Sequence, residues 1–190
     1  PNSASFNRER AAAALERREV CLHLTTAVTE VHADRVCFKD GTSLPHSGLI
    51  WSAGSSPTLP DIHPNPAGAR APLNISEDLR LLDHPHVFVP GDCGRCSANP
   101  WPATAQVAMQ QGDAVAKALQ AMDHTQEPEP FQFQDRGEML SLGIGDATLT
   151  GLGITLAGPL AFKIRRATYL TRLPGLSLGL RSAGAWLMSR

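Results

Sequence analysis

The cleanest pattern in the chain lies over residues 104–119. Val107, Ala108, Gln111, Ala114, Val115 and Ala118 recur at i, i+1, i+4, i+7, i+8 and i+11, which is one face of a helix. Thr104 stands where a capping hydroxyl belongs, and Pro102 lies just outside. Residues 6–19 (FNRERAAAALERRE) are rich in Ala, Glu and Arg and predict a second helix. Apolar runs predict strands at Val20–Leu24, Ala27–Val31, Arg35–Lys39 and Leu49–Ser52, punctuated by turns at Ala33-Asp34 and Asp40-Gly41. Val87-Phe88-Val89 predicts a buried strand running straight into Pro90-Gly91-Asp92. Strands interspersed with helices place the chain in the α/β class.

The last third is less regular. Leu176, Leu180, Ala183 and Leu187 follow i, i+4, i+7 and i+11 with Trp186 beside them, so a short amphipathic helix is expected there. Lys163–Arg172 interleaves bases and apolar residues without a clean face. Two stretches read as connections: residues 55–72, which hold five Pro, and Glu127-Pro128-Glu129-Pro130. The longest uncharged run of this region, Ala147–Phe162, has 16 residues and is broken by Thr, Gly and Pro159, too short and polar to span a bilayer.

Composition bounds the answer without naming it. A chain of 190 residues, 42% hydrophobic, allows one domain or two small ones. A net charge of -1 argues against a dedicated nucleic-acid binder. The average hides an asymmetry, however. Residues 1–130 hold 10 Lys/Arg against 15 Asp/Glu, whereas residues 131–190 hold 7 against 3, and from Gly151 onward there are six bases and no acid. The same segment does not span a bilayer, but lying on a surface stays open. The four Cys do not make a disulfide framework at this length, and residues 1–20 show no signal-peptide pattern, so a reducing compartment is expected.

The candidate chemistry sits where Val87–Val89 ends. In open α/β sheets ligands gather at the carboxyl ends of strands. There Gly91 permits close backbone approach, and Asp92 can accept hydrogen bonds from a sugar-like hydroxyl. An ordinary turn aspartate fits the same pattern. A dozen residues on, Ala105 and Gln106 open a helix whose first amides lack partners and whose dipole is positive at that end, a suitable seat for an anionic ring edge. Gln106 and Gln110 share one helix face at i, i+4; solvated polar residues would read the same way. Cys93-Gly94-Arg95-Cys96 lacks the second ligand pair of a zinc site, so no metal is expected. His84 and His86 read as loop residues, Trp101 as pocket lining or a loop anchor, and Asp113 with Lys117 as a helix surface pair.

The segments Leu49-Ile50-Trp51-Ser52-Ala53-Gly54, Val87-Phe88-Val89-Pro90-Gly91-Asp92-Cys93 and Ala105-Gln106-Val107-Ala108-Met109-Gln110-Gln111-Gly112, in that order and spacing, resemble the type II NADH:quinone oxidoreductases. These belong to the flavoproteins built on two dinucleotide-binding domains. Gly137–Gly143 and Leu156–Phe162 resemble the C-terminal region of the same family, most of all its cyanobacterial and plastid-type branch. The Gly-Asp pair alone is common to the superfamily; the Ala-Gln-x-x-x-Gln helix together with this tail is specific.

The resemblance implies a partial FAD/NAD(P)-binding, two-Rossmann-domain flavoprotein with a C-terminal helical membrane-docking region. Residues 1–58 would close the NAD(P)H-binding domain, 59–125 the FAD-binding domain, and 131–190 would form the docking and quinone-access region. It implies FAD as cofactor and NAD(P)H as substrate. Asp92, with Gly91, would bind the ribityl chain of FAD, Ala105 and Gln106 would offer backbone contacts to the ring, and Ala53 and Gly54 would close the nicotinamide side. Gln106 and Gln110 resemble the glutamines where the nicotinamide and quinone pockets meet, the catalytic positions. Membrane quinone and a peripheral membrane surface met through residues 139–188 are the implied partners. The implied location is the cytoplasmic or the stromal or matrix face of a membrane, thylakoid or organellar membranes included; a homodimer is left open.

One departure is informative. No Gly-x-Gly-x-x-Gly occurs in the sequence, although the family needs two such phosphate-cradling loops. The chain is therefore expected to be the C-terminal half of a longer protein, lacking on the order of 200 residues. Two alternatives stay open: a soluble pyridine-nucleotide flavoprotein reductase of the same superfamily, and a truncated non-catalytic remnant.

Overall fold

The computed structural model describes residues 4–54, 57–60 and 72–188. Most of the Pro-rich connection over 55–72 lies outside the described residues. The chain divides into two compact units, one formed by Pro1–Leu49 with Arg136–Arg190 and the other by Ile50–Asp135.

In the first unit the Ala-rich segment forms α1 (Ser5–Glu16), and an antiparallel meander follows: β1 (Val28–Val31), β2 (Arg35–Phe38) and β3 (Ser43–Pro45). The Asp40-Gly41 turn holds as expected. Gly41 has φ +85°, and the Asp40 carboxylate accepts from the Thr42 amide (2.9 Å) and hydroxyl (2.6 Å). Those bonds, the hydroxyl one foremost, depress the Asp40 pKa.

The same unit continues with a second meander, β8 (Glu138–Gly143), β9 (Asp146–Gly151) and β10 (Ile154–Ala157), followed by α3 (Pro159–Leu170) and α4 (Leu176–Met188). This corrects the expectation of a wholly helical C-terminal region, because a three-stranded sheet precedes its two helices. Two-residue turns close both hairpins, Ile144-Gly145 in one and Leu152-Gly153 in the other, with Gly145, Leu152 and Gly153 at positive φ. Ala147, Thr148 and Ala161 are wholly buried, small residues that let α3 lie close on β9. On the same sheet, α1 is fastened by Asn7, fully buried, whose amide donates to Glu138 Oε2 (2.8 Å) and Thr150 Oγ1 (3.0 Å). Gly137 and Gly151 cross backbone to backbone; a Cβ on Gly137 would sit 2.1 Å from the Thr150 carbonyl oxygen.

The second unit contains a parallel pair, β4 (Leu73–Asn74) with β7 (Gly94–Arg95), an antiparallel ribbon of β5 (Arg80–Leu81) with β6 (His84–Phe88), and the long α2 (Ala105–Asp123). Its core is Leu73, Ile75, Leu79, Leu81, Val89, Cys96, Val107 and Phe131. The periodic face expected for the long helix is the face that packs: Val107, Gln111 and Ala118 are buried and Ala108, Ala114 and Val115 half-buried.

Three strand expectations fail. Val20–Leu24 and Leu49–Ser52 adopt no regular structure, and Leu24, Ile50 and Trp51 are largely exposed. Among the described residues no strand runs beside either run to take its backbone hydrogen bonds, and hydrophobicity alone does not make a strand. Val87–Val89 is likewise not a buried strand. Among the described residues β6 pairs only with β5, Val87 is exposed, and only Val89 is fully buried in the core, with Phe88 half-buried against it. Glu127–Pro130 is not a loose linker either. Pro128 and Phe131 are buried, the Phe131 amide donates to the Glu77 carbonyl (2.8 Å), and Glu127 pairs with Arg80 (3.4 Å).

A turn locked on the long helix: the candidate functional site

The second unit brings together the turn after β6 and the first half of α2. Val89 leaves the ribbon with its amide bonded to the Leu79 carbonyl (3.0 Å), and Pro90 extends the chain into a single 3-10 turn over Gly91–Cys93. Gly91 takes φ +75°, a conformation that costs most residues about 1 kcal/mol or more. Its amide donates to the Gln111 side-chain oxygen at 2.6 Å, and a Cβ there would rest 3.5 Å from Ala108 Cβ. Gly91 is therefore dictated by backbone geometry rather than by lack of space. Gln111, 3% exposed, is the one polar side chain buried on the packed face of α2 and serves this bond.

Asp92 is the middle residue of the turn and is exposed, with no hydrogen-bond partner among the described residues. Ala105 is exposed at the start of α2, where no carbonyl a turn below receives its amide. Thr104 caps the helix, its hydroxyl accepting from the Val107 amide at 3.3 Å. Gln106 is half-buried in the first turn. The Gln110 amide forms a reciprocal pair with the Gln134 backbone, donating to its carbonyl (2.9 Å) and accepting from its amide (3.0 Å). That side chain anchors the segment carrying Phe131 and Phe133 onto α2, beside the Trp101–Phe131 edge-to-face contact.

The structure thus gathers Gly91, Asp92, Ala105, Gln106 and Gln110 around one turn and one helix. Ala53 and Gly54 lie in an exposed segment without regular structure, and among the described residues no hydrogen bond ties them to the turn or to α2. Gln111 was missed as a site residue. Its signal was a polar residue within an otherwise apolar helical face, which requires a buried partner. Cys96 is buried core and Cys93 half-buried; both thiols are free.

A flavin nucleotide needs an acceptor for its sugar-like chain, a helix start for its ring edge and a cradle for its diphosphate. The exposed Asp92 carboxylate on a fixed turn and the capped α2 start fit the first two. The absence of any glycine-rich loop from the sequence leaves the third unmet.

Comparison with known proteins places the chain in a family. Residues 2–112 match the family described as pyridine nucleotide-disulphide oxidoreductase, and the chain belongs to that family. Among curated relatives it is 34% identical over 137 residues to the alternative NAD(P)H-ubiquinone oxidoreductase C1, chloroplastic/mitochondrial, of Arabidopsis thaliana, covering 66% of this chain and 26% of that protein. It is 33% identical to the demethylphylloquinone reductase NdbB of a Synechocystis strain, covering 97% of this chain and 50% of that protein. The type II NADH:quinone oxidoreductase of Staphylococcus aureus is 31% identical over 72% of this chain and 32% of its own length. The resemblance in the motifs is thus a relationship along most of the chain. The fold matches that of NDH2 from Plasmodium falciparum, solved in complex with NADH, with a TM-score of 0.75 at 13% identity over 92% of this chain and 52% of that one. The chain spans about half or less of the length of the curated relatives it matches.

Proposed function

We propose that this chain forms the later part of an FAD-dependent, non-proton-pumping NAD(P)H:quinone oxidoreductase, whose phosphate-binding loops lie in sequence outside these 190 residues. The observation that carries the reading is the Gly91–Asp92 turn, pinned to α2 through Gln111, with the Asp92 carboxylate exposed on that turn and Thr104 capping the helix. FAD, when bound, supplies the chemistry that accepts hydride from NAD(P)H and passes two electrons to quinone. The residues position it. Asp92 accepts from the ribityl hydroxyls, and the amides of Ala105 and Gln106 meet the ring edge. Gln106 orients the acceptor, Gln110 holds the neighbouring segment through Gln134, and Ala53 and Gly54 close the nicotinamide side. In this reading residues 1–58 and 59–125 complete the NAD(P)H and FAD domains.

Residues 131–190 dock on one leaflet of a membrane and admit quinone. Their support is physical. Among the described residues no helix is long and apolar enough to cross a membrane. Instead α3, α4 and the segment joining them expose Leu160, Leu176, Leu180 and Met188 along with Lys163, Arg172 and Arg181, a pairing suited to an anionic interface.

Extending the reading frame upstream and purifying the protein it encodes tests the proposal. Two glycine-rich loops, bound FAD and NAD(P)H-dependent reduction of a soluble quinone are expected, with Asp92→Ala sharply lowering FAD occupancy. The 190-residue chain alone should take up no stoichiometric flavin. A yellow, fully loaded 190-residue chain would overturn the half-site reading, and a frame without the loops would leave a non-catalytic remnant.

A further inference from the structure

The β1–β2 hairpin of the first unit carries a donor set that the oxidoreductase reading does not use. Glu30 on β1 and Cys37 on β2 are register partners, so their side chains share one face of the ribbon. His32, two residues beyond Glu30, returns to that face. Its Nε2 lies 3.1 Å from Glu30 Oε2, and one ligand atom from each of Glu30, His32 and Cys37 lies within 4.8 Å of the others. His32 and Cys37 are half-buried, which shelters the nitrogen and sulfur while the carboxylate stays in water.

We propose that Glu30, His32 and Cys37 form a three-ligand site for a borderline divalent cation, Zn2+, with the remaining coordination left to water. Zn2+ takes sulfur, imidazole nitrogen and carboxylate oxygen together, whereas Mg2+ and Ca2+ take oxygen. With bonds of about 2.3 Å to sulfur and about 2.1 Å to nitrogen and oxygen, tetrahedral ligand atoms sit roughly 3.3–3.6 Å apart. The Glu30–His32 spacing of 3.1 Å lies just below that range and no other spacing exceeds 4.8 Å, so the three side chains start close to the geometry the ion requires. Charge matches as well: a thiolate and a carboxylate supply two negative charges around a neutral imidazole. The simpler arrangement is a Glu30–His32 ion pair with a bystander thiol, and it predicts no bound metal. The cross-strand pairing also gives the site a structural effect, since a cation held by β1 and β2 ties together the two strands around the turn at 32–34.

Equilibrium dialysis of the reduced, metal-stripped chain against Zn2+, with Co2+ as the spectroscopic probe, decides between them. One equivalent of Zn2+ should bind, and Co2+ should give a thiolate charge-transfer band with the intense visible bands of tetrahedral cobalt. C37S should abolish the charge-transfer band, C37S and H32A should each weaken binding at least roughly tenfold, and E30Q should weaken it less. C21S serves as control, because Cys21 Sγ lies 3.6 Å from His23 Nε2 and forms the rival thiol–imidazole pair. Absence of stoichiometric binding, or binding untouched by C37S and H32A but lost in C21S, would overturn the proposal. Circular dichroism of each variant separates loss of ligand from loss of fold.

Discussion

At the scale of single residues, the site is shaped by atoms that are absent. Gly94 follows the Asp92 turn, and a Cβ there would meet the Val89 carbonyl oxygen at 2.3 Å and Ile75 Cδ1 at 2.8 Å. Its φ is not in the left-handed region, so the demand is for space alone. The first clash is with backbone and cannot be relieved by a rotamer change. Gly94→Ala should therefore destabilise by about 1–3 kcal/mol, as overpacking does, measured as a lowered urea midpoint at unchanged slope. Asp78 gives a second residue-scale prediction. Burial pushes its carboxyl upward, but the Arg80 guanidinium, the Ser76 hydroxyl and the Arg80 amide together outweigh burial and hold it below its ordinary value of 3.8. A depressed folded-state pKa contributes stability that is complete above the unfolded value and is lost as pH falls through the folded one. Between neutral pH and about 4 this contribution stays constant, and below that it fades. Asp78→Asn should accordingly lower stability at pH 7 and flatten the acid limb of the stability profile. A variant whose acid limb stays parallel to that of the parent would refute the assignment.

The elements legible in the sequence were those whose geometry is local. The face of α2, the Thr104 cap, the Asp40-Gly41 turn and the Ala-rich α1 each follow from neighbours within a few positions, and the structure places them within a few residues of expectation. Strands depend on partners far away in sequence. Val20–Leu24 and Leu49–Ser52 have strand-like composition and no partner among the described residues, whereas β8, β9 and β10 pair with one another despite a weak alternation. Their signal was the glycine spacing, Gly143, Gly145, Gly151 and Gly153, which marks two tight hairpins. The turn around Asp92 was legible as a candidate, but the Gly91–Gln111 bond that fixes it and the Gln110–Gln134 pair that ties residues 128–135 to α2 were not, because both join groups about 20 residues apart. The second pair gives Gln110 a measurable anchoring role. Gln110→Ala should raise the hydrogen-exchange rate of the Gln134 amide by about two- to tenfold, the equivalent of one net hydrogen bond of 0.5–1.5 kcal/mol. The exchange of Val107 and Ala108, inside the same helix, should be unchanged. Faster exchange along all of α2 would mean that the substitution acts on the helix instead.

The whole molecule separates charge by position, acidic through residue 130 and basic beyond. The structure shows which bases of that second part face solvent. Arg165 and Arg166 are half-buried: Arg165 lies over the Tyr169 ring (4.6 Å), and Arg166 over Trp186 (4.2 Å) and Phe162 (5.5 Å), joining α3 to α4. Reversing their charge would damage packing as well as any electrostatic attraction, since each contact is worth about 0.5–2 kcal/mol. Lys163, Arg172 and Arg181 are exposed, although Arg172 also reaches over the Tyr169 ring (5.5 Å), and as solvent-facing bases they make the cleaner probe. Vesicles containing phosphatidylglycerol should bind the protein at low salt and release it progressively as ionic strength rises. At about 1 kcal/mol per basic residue near an anionic surface, the triple reversal K163E/R172E/R181E should weaken binding by two orders of magnitude or more. A Leu176→Ser and Leu180→Ser pair should weaken binding to neutral phosphatidylcholine vesicles too, because it removes the apolar contribution rather than the ionic one. Should vesicle binding be unaffected by both sets while the protein elutes as a dimer that the leucine changes dissociate, the exposed face of α3 and α4 joins two copies of the chain, and the soluble-reductase reading displaces the membrane one.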